Sequence, residues 1–190
     1  MRVRARSHAS LLRSRAVRVV AGRARGRRLV SPRGRAVRPT SDRVREATFN
    51  ALTSLGALED ASVLDLFAGS GALGIEALSR GAAAATFVDH DPSALATVRS
   101  NLAATGLASA ATVVRSDASR FVASGPGRFD LALLDPPYDF EGPAWSRLMD
   151  VLDAGLAVLE SDREVDPGSR WEPIRVKRYG ATVVTLVRLR

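Results

Sequence analysis

Asp130-Leu131-Ala132-Leu133-Leu134-Asp135-Pro136-Pro137-Tyr138 is the stretch that decides the fold. An apolar run that stops abruptly at Asp-Pro-Pro-Tyr reads as a strand buried on both faces, the mark of a parallel sheet covered by helices. Ligands of such open sheets bind beyond the carboxyl ends of the strands. Pro136 and Pro137 have no backbone N–H, so their carbonyls are left as acceptors beside the Asp135 carboxylate and the Tyr138 ring. Acceptors next to a stacking face suit a planar base that carries an exocyclic amine.

Working outward, strands and helices alternate. The pattern predicts strands over 63–67, 85–89, 111–115, 129–134 and 156–160, with helices over 72–80, 92–105, 118–123 and 145–153 between them. Pro92 suits a first helical turn and Gly106 a helix end. Residues 171–179 and 181–189, split by Gly180, read as a closing antiparallel hairpin. Alternation at this spacing means a doubly wound α/β sheet. Trp145 and Trp171 are expected to pack at helix and hairpin edges.

The first strand runs into Asp65-Leu66-Phe67-Ala68-Gly69-Ser70-Gly71-Ala72-Leu73-Gly74, which satisfies G-x-G-x-x-G. Asp89 follows 20 residues after Gly69, at the end of the next strand, where a carboxylate meets a ribose diol. A nicotinamide or flavin enzyme fits these residues equally well. Asp65 shifts the balance to S-adenosylmethionine, because a carboxylate before the loop favours an ammonium group and opposes a pyrophosphate. Asp-Pro-Pro-Tyr likewise has no part in hydride transfer. Asp117 is placed to accept from an adenine amine, or to cap a helix. His90 reads as a surface loop residue.

An exocyclic amine on a base is a poor nucleophile, since its lone pair is delocalised into the ring. Asp135 and the Pro136 carbonyl, each accepting one N–H, would draw that nitrogen toward a tetrahedral geometry, while Tyr138 stacks on the base. A sulfonium methyl needs little further activation, so positioning and electrostatics could supply most of the rate. The base has to leave its stack, which makes a loop or single strand the cheapest target.

Charge is unevenly distributed. The net charge is +8, yet residues 1–45 hold fifteen arginines and one acid, and the remaining 145 residues are net −6. A basic arm on an acidic body suggests a polyanion partner. Residues 1–16 read as a disordered basic extension or as the product of a start codon placed too early, with a transit peptide as the alternative. Residues 17–22 and 28–30 predict a hairpin around Arg23-Ala24-Arg25-Gly26-Arg27. Beyond Pro39, with Thr40, Ser41 or Asp42 as cap, Val44, Ala47, Ala51 and Leu55 fall at helical spacing up to Gly56, leaving Arg43 and Arg45 to meet phosphate. The division expected is therefore a 17–56 RNA-binding hairpin and helix, then a catalytic domain over 57–190.

The chain has no cysteine, which excludes a thiolate metal site and a pyrimidine-C5 methylation that needs a covalent thiol adduct. With two histidines, no metal is expected. No apolar run reaches the ~20 residues that cross a bilayer.

With these residues in hand, the chain resembles the bacterial 16S ribosomal RNA (guanine-N2)-methyltransferase family. The marks are Arg18-Val19-Val20-Ala21-Gly22 with Arg25-Gly26-Arg27-Arg28-Leu29, the block Arg38-Pro39-Thr40-Ser41-Asp42-Arg43-Val44-Arg45-Glu46, the stretch from Phe67 to Gly81, Asp135-Pro136-Pro137-Tyr138 and Glu160-Ser161. The resemblance covers residues 17–190 and departs at residue 89, Asp where relatives often have Glu. It implies a Rossmann-like class I methyltransferase, a mostly parallel seven-stranded sheet with helices on both faces plus the small basic extension. It implies S-adenosylmethionine as donor and S-adenosylhomocysteine as product. The substrate implied is the guanine conventionally numbered 966, presented by a 30S particle or its precursor to a cytoplasmic monomer. Asp135, Pro136 and Tyr138 would be catalytic, and Asp65, Phe67, Gly69, Gly71, Asp89 and Asp117 would hold the cofactor. Arg25, Arg38, Thr40, Arg43 and Arg45 would contact RNA. A DNA adenine N6-methyltransferase and a non-catalytic RNA-binding module are the alternatives.

Overall fold

A computed structural model describes residues 17–32, 42–137 and 139–190. The expectations for residues 1–16 and for Arg38, Pro39, Thr40, Ser41 and Tyr138 lie outside the described residues.

The basic hairpin forms from β1 (Val17–Arg18) and β2 (Arg28–Leu29), paired antiparallel. Helix α1 (Asp42–Ser54) follows. Then come β3 (Ser62–Leu66), α2 (Ala72–Ser79), β4 (Ala84–Asp89), α3 (Pro92–Thr105), β5 (Ala111–Arg115), α4 (Ala118–Ala123), β6 (Phe129–Leu134), α5 (Gly142–Val151), β7 (Ala154–Ser161), β8 (Trp171–Tyr179) and β9 (Thr182–Leu189). The last seven strands make one sheet in the order β5-β4-β3-β6-β7-β9-β8. Its first five members are parallel, and β9 and β8 close it antiparallel. The α/β sheet expected from the alternation is present, with helices on both faces. α1, α2 and α3 cover one face over Val63, Phe87, Leu131, Leu133, Val158 and Leu186. α4 and α5 cover the other over Leu64, Leu66, Leu134, Ala157 and Leu159.

Two expectations need correction. The buried face of α1 is Val44, Arg45, Thr48, Phe49 and Leu52, whereas Leu55 is 41% exposed. The helix stops at Ser54, and the two largest apolar side chains, Phe49 and Leu52, set its rotation by burying completely. α5 begins at Gly142 rather than Trp145, with Pro143 in its first turn.

The hairpin is built into the body. Val19, Ala24 and Leu29 belong to the same core cluster as α1, α2 and the sheet. The buried Glu76 on α2 accepts from the backbone N–H of Val20 at 2.7 Å and of Ala21 at 3.0 Å. Ser79 Oγ accepts from Ala24 N–H at 2.9 Å and donates to the Ala21 carbonyl at 2.6 Å, and the Ser79 carbonyl accepts from Arg23 N–H at 2.8 Å. Asn101 on α3 accepts from Val30 N–H through Oδ1 and returns a bond to the Val30 carbonyl through Nδ2, each at 2.9 Å. Side chains of two helices thus satisfy backbone groups of the hairpin that its two-residue strands leave unpaired.

Candidate active site

Three neighbouring strands, β4, β3 and β6, deliver acids to one end of the sheet. Asp65 lies in β3, Asp89 ends β4 and Asp135 follows β6. Asp65 is buried, and one of its oxygens accepts from Gly74 N–H at 2.9 Å. Burial raises its carboxyl well above the usual range, and the negative charges of Asp135 and Asp89 push the same way, against the Gly74 N–H. Asp65 has no basic partner among the described residues. A cation placed beside Asp65 would favour its charged form, which burial and the neighbouring acids oppose.

Asp89 is also buried, and its carboxylate braces two loops. Oδ2 accepts from Gly69 N–H and Oδ1 from Asp91 N–H, both at 2.9 Å. Capping of α3 falls to Asp91, which accepts from Ser93 N–H. Asp117 follows β5 and caps α4 by accepting from Arg120 N–H at 3.0 Å. The adjacent Ser116 N–H bonds the Asp89 carbonyl at 3.2 Å, so Asp117 adjoins the Asp89 turn. His90 is exposed beside Asp89.

The glycine loop needs its glycines for separate reasons. Gly69 (φ 55°) and Gly71 (φ 76°) sit in the left-handed region. A Cβ on Gly69 would face nothing nearer than the Phe67 carbonyl at 3.8 Å, so this turn opens on free space. A Cβ on Gly74 would strike the Phe87 ring at 2.4 Å, so that glycine lets α2 approach β4. Phe67 itself has φ 63°, costly for an aromatic residue. Its ring meets Phe140 edge-on at 5.2 Å, and Phe140 meets Trp145 the same way at 5.2 Å. This aromatic file ties the glycine loop to the segment after Asp-Pro-Pro, a role for the buried Trp145 that the sequence does not disclose.

Asp135 is half-buried, Pro136 buried and Pro137 exposed. The Pro137 carbonyl accepts from Phe140 N–H at 3.0 Å and closes a turn. That turn leaves the Pro136 carbonyl next to Asp135 as an acceptor that no donor among the described residues takes.

Of the residues expected to contact RNA, Arg25 at the hairpin tip and Arg43 in the first turn of α1 are exposed. Arg45 is not available to phosphate. It is 3% exposed, ion-paired to Asp42 at 2.8 Å, 3.8 Å from Glu76, and bonded to the Arg18 carbonyl. Its placement follows from the rotation of α1, which turns Arg45 onto the anchor Glu76. Glu76 also pairs with Arg80 at 2.7 Å. Glu76, Ser79 and Asn101 are the functional supports that sequence reasoning missed. The available signal was an acid alone inside the apolar helix Ala72-Leu73-Gly74-Ile75-Glu76-Ala77-Leu78-Ser79, four residues before an arginine.

A mostly parallel seven-stranded sheet closed by an antiparallel hairpin, with a glycine loop after β3, an acid ending β4 and Asp-Pro-Pro ending β6, defines an α/β methyltransferase fold. The chain belongs to the family described as conserved hypothetical protein 95, whose model matches residues 17–188. A Bacillus subtilis protein named for rRNA methylation is 38% identical over 187 residues, covering 92% of this chain and 100% of its own length. The Escherichia coli ribosomal RNA small subunit methyltransferase D is 45% identical over 122 residues, which span 64% of this chain and 60% of that protein. A solved Escherichia coli structure titled as a methyltransferase superposes with a TM-score of 0.79 at 37% identity, covering 92% of this chain and 98% of that one. The resemblance drawn from the motifs is borne out.

Proposed function

We propose that this chain moves the methyl group of S-adenosylmethionine to the exocyclic N2 amine of a guanine in 16S ribosomal RNA held in a small-subunit particle, acting as a cytoplasmic monomer. The observation that carries the reading is Asp135 with the Pro136 carbonyl at the end of β6, one strand from the buried acids Asp65 and Asp89. The names of the relatives support an rRNA substrate in the small subunit.

The residues present fit this cofactor. Asp65 offers a desolvated carboxylate to an ammonium group, Gly69 opens the loop beside it, Asp89 offers its remaining lone pairs to a diol, and Asp117 lies next to that turn. Gly71 and Phe67 shape the loop, and Phe67 presents a ring edge near it. When bound, S-adenosylmethionine supplies an electrophilic methyl on a sulfonium. Asp135 and the Pro136 carbonyl each accept one N–H of the guanine amine, which fixes the direction of the nitrogen lone pair. The Asp135 carboxylate can also accept the proton that the alkylated nitrogen sheds. Tyr138 stacks on the extruded base, while Arg25, Arg38, Thr40 and Arg43 hold the RNA.

The test incubates the protein and labelled S-adenosylmethionine with unmethylated small subunits, naked 16S RNA and duplex DNA, and identifies the methylated nucleoside. N2-methylguanosine from the subunits is expected. Asp135→Ala should lower turnover by about 10²–10³-fold and still bind S-adenosylhomocysteine in calorimetry. N6-methyladenine from DNA, or full activity in Asp135→Ala, overturns the reading.

A further inference from the structure

The acidic body conceals a second basic element. Residues 170–190 hold Arg170, Arg175, Lys177, Arg178, Arg188 and Arg190 against a single acid, Glu172. Glu172 stands opposite Arg188 in the β8–β9 register. Arg175 and Lys177 form no ion pair with any described residue. β8 is an edge strand whose residues from Glu172 to Arg178 are all exposed.

The face on which these cations stand follows from register. Arg175 pairs with Leu186 and Lys177 with Val184, and both partners belong to the core beneath α1. Arg175, Lys177 and Tyr179 therefore project on the α1 side of the sheet. There they line an open groove with Ala47, Thr48 and Ala51 of α1, floored by Val184 and Leu186. The Lys177 ammonium lies 5.5 Å from the centre of the Tyr179 ring. Arg43 precedes Ala47 by one helical turn and so shares its side of α1. Glu46 projects around the other side of the helix from Thr48. The groove thus has cations on its rims, an apolar floor and one aromatic ring.

We infer that this groove between α1 and β8 binds the RNA strand flanking the target nucleotide, with phosphates on Arg175, Lys177 and Arg43 and an unstacked base against Tyr179. The inference rests on the RNA reading proposed above. The direction is right, since β8 runs parallel to β7 and its Tyr179 end lies at the same end of the sheet as Ser161 and Asp135. The separation also fits. Three strand spacings part β6 from β8, about 14 Å, which two or three nucleotides of extended single strand can bridge. Cations that track a backbone, interleaved with a stacking ring, are what a single strand requires.

The test compares wild type, Arg175→Ala with Lys177→Ala, the charge-keeping Arg175→Lys with Lys177→Arg, and Arg147→Ala on the opposite face. Equilibrium binding of small-subunit particles is measured with S-adenosylhomocysteine present, and methyl transfer separately, across a salt series. In the double alanine variant KM and particle Kd should rise at least about tenfold with kcat unchanged, and the slope of log Kd on log salt should shrink by about two. The charge-keeping and Arg147 variants should match wild type. Unchanged Kd and salt slope in the double alanine variant, with or without new dimers in light scattering, would overturn the inference and leave the cations as guards of an exposed edge. A wild type that binds particles through these cations yet methylates nothing would sink the functional reading and keep this one.

Discussion

Glu76→Gln tests whether one buried carboxylate docks the basic hairpin. Both oxygens face donors: Oε1 accepts from Ala21 N–H and Arg80 Nε, and Oε2 accepts from Val20 N–H with Arg45 Nε at 3.8 Å. An amide must turn its NH2 toward one of these sets whichever way it is placed. One backbone N–H then loses its acceptor, which costs ~1–3 kcal/mol, and the Arg80 guanidinium loses its counter-charge, while Arg45 keeps Asp42. Breaking such a pair costs ~3–5 kcal/mol, so at least ~4 kcal/mol is expected in all. In a chain of this size that lowers Tm by roughly 10 °C. Thermal unfolding reads the loss, and brief trypsin digestion reads where it falls, since the arginines of the hairpin tip should become cleavable before the sheet does. S-adenosylhomocysteine affinity should change little, because Glu76 bonds the hairpin rather than the pocket. A Tm within about 2 °C of wild type, with the tip still protected, would refute the reasoning: Val19, Ala24 and Leu29 with the Ser79 and Asn101 bonds would then suffice to hold the hairpin.

Asp65→Asn should stabilise the ligand-free protein at neutral pH. Burial raises the folded-state pKa of Asp65 above its unfolded value, so its favourable contribution is complete below ~pH 4 and is lost as pH rises through the folded pKa. The gap in Tm between variant and wild type should therefore widen from acid to neutral pH, while affinity for S-adenosylmethionine falls at least ~10-fold; a gap that does not widen would refute burial as the cause. Gly22→Ala and Gly26→Ala form a matched pair, both at φ +81°. A Cβ at position 22 would lie 1.8 Å from the Ser79 carbonyl oxygen, and one at 26 meets nothing within 4 Å. Denaturant titration should show a loss of ~1 kcal/mol for Gly26→Ala, the backbone cost alone, and at least twice that for Gly22→Ala.

The elements that the sequence spells out are those whose signal is local. β6 is an unbroken apolar run ended by prolines, and α3 starts on proline and stops on glycine, so both were bounded to the residue. The acids at the strand ends were legible for the same reason, each sitting within two residues of the end of a strand. Arg45 was not, because whether it meets solvent depends on the roll of α1, and that roll is set by Phe49 and Leu52 against a sheet more than ten residues away. Glu76, Ser79 and Asn101 were missed because they serve backbone groups 55 to 71 positions distant. Backbone acceptors carry no residue identity, so no pattern marks their partner. The β8 cations were hidden by summing charge over the whole body, which cancelled them against acids on other elements.

Those long separations have a consequence for biosynthesis. Val30 reaches its partner Asn101 only after 71 further residues have been made, some 4–14 s of translation at ~5–20 residues per second. Throughout that interval the basic hairpin emerges with nothing to lie against, beside a ribosome whose own surface is nucleic acid. Its docking must wait for α2 and α3, so the order in which the chain is written places the basic segment in the open before the globule that restrains it exists.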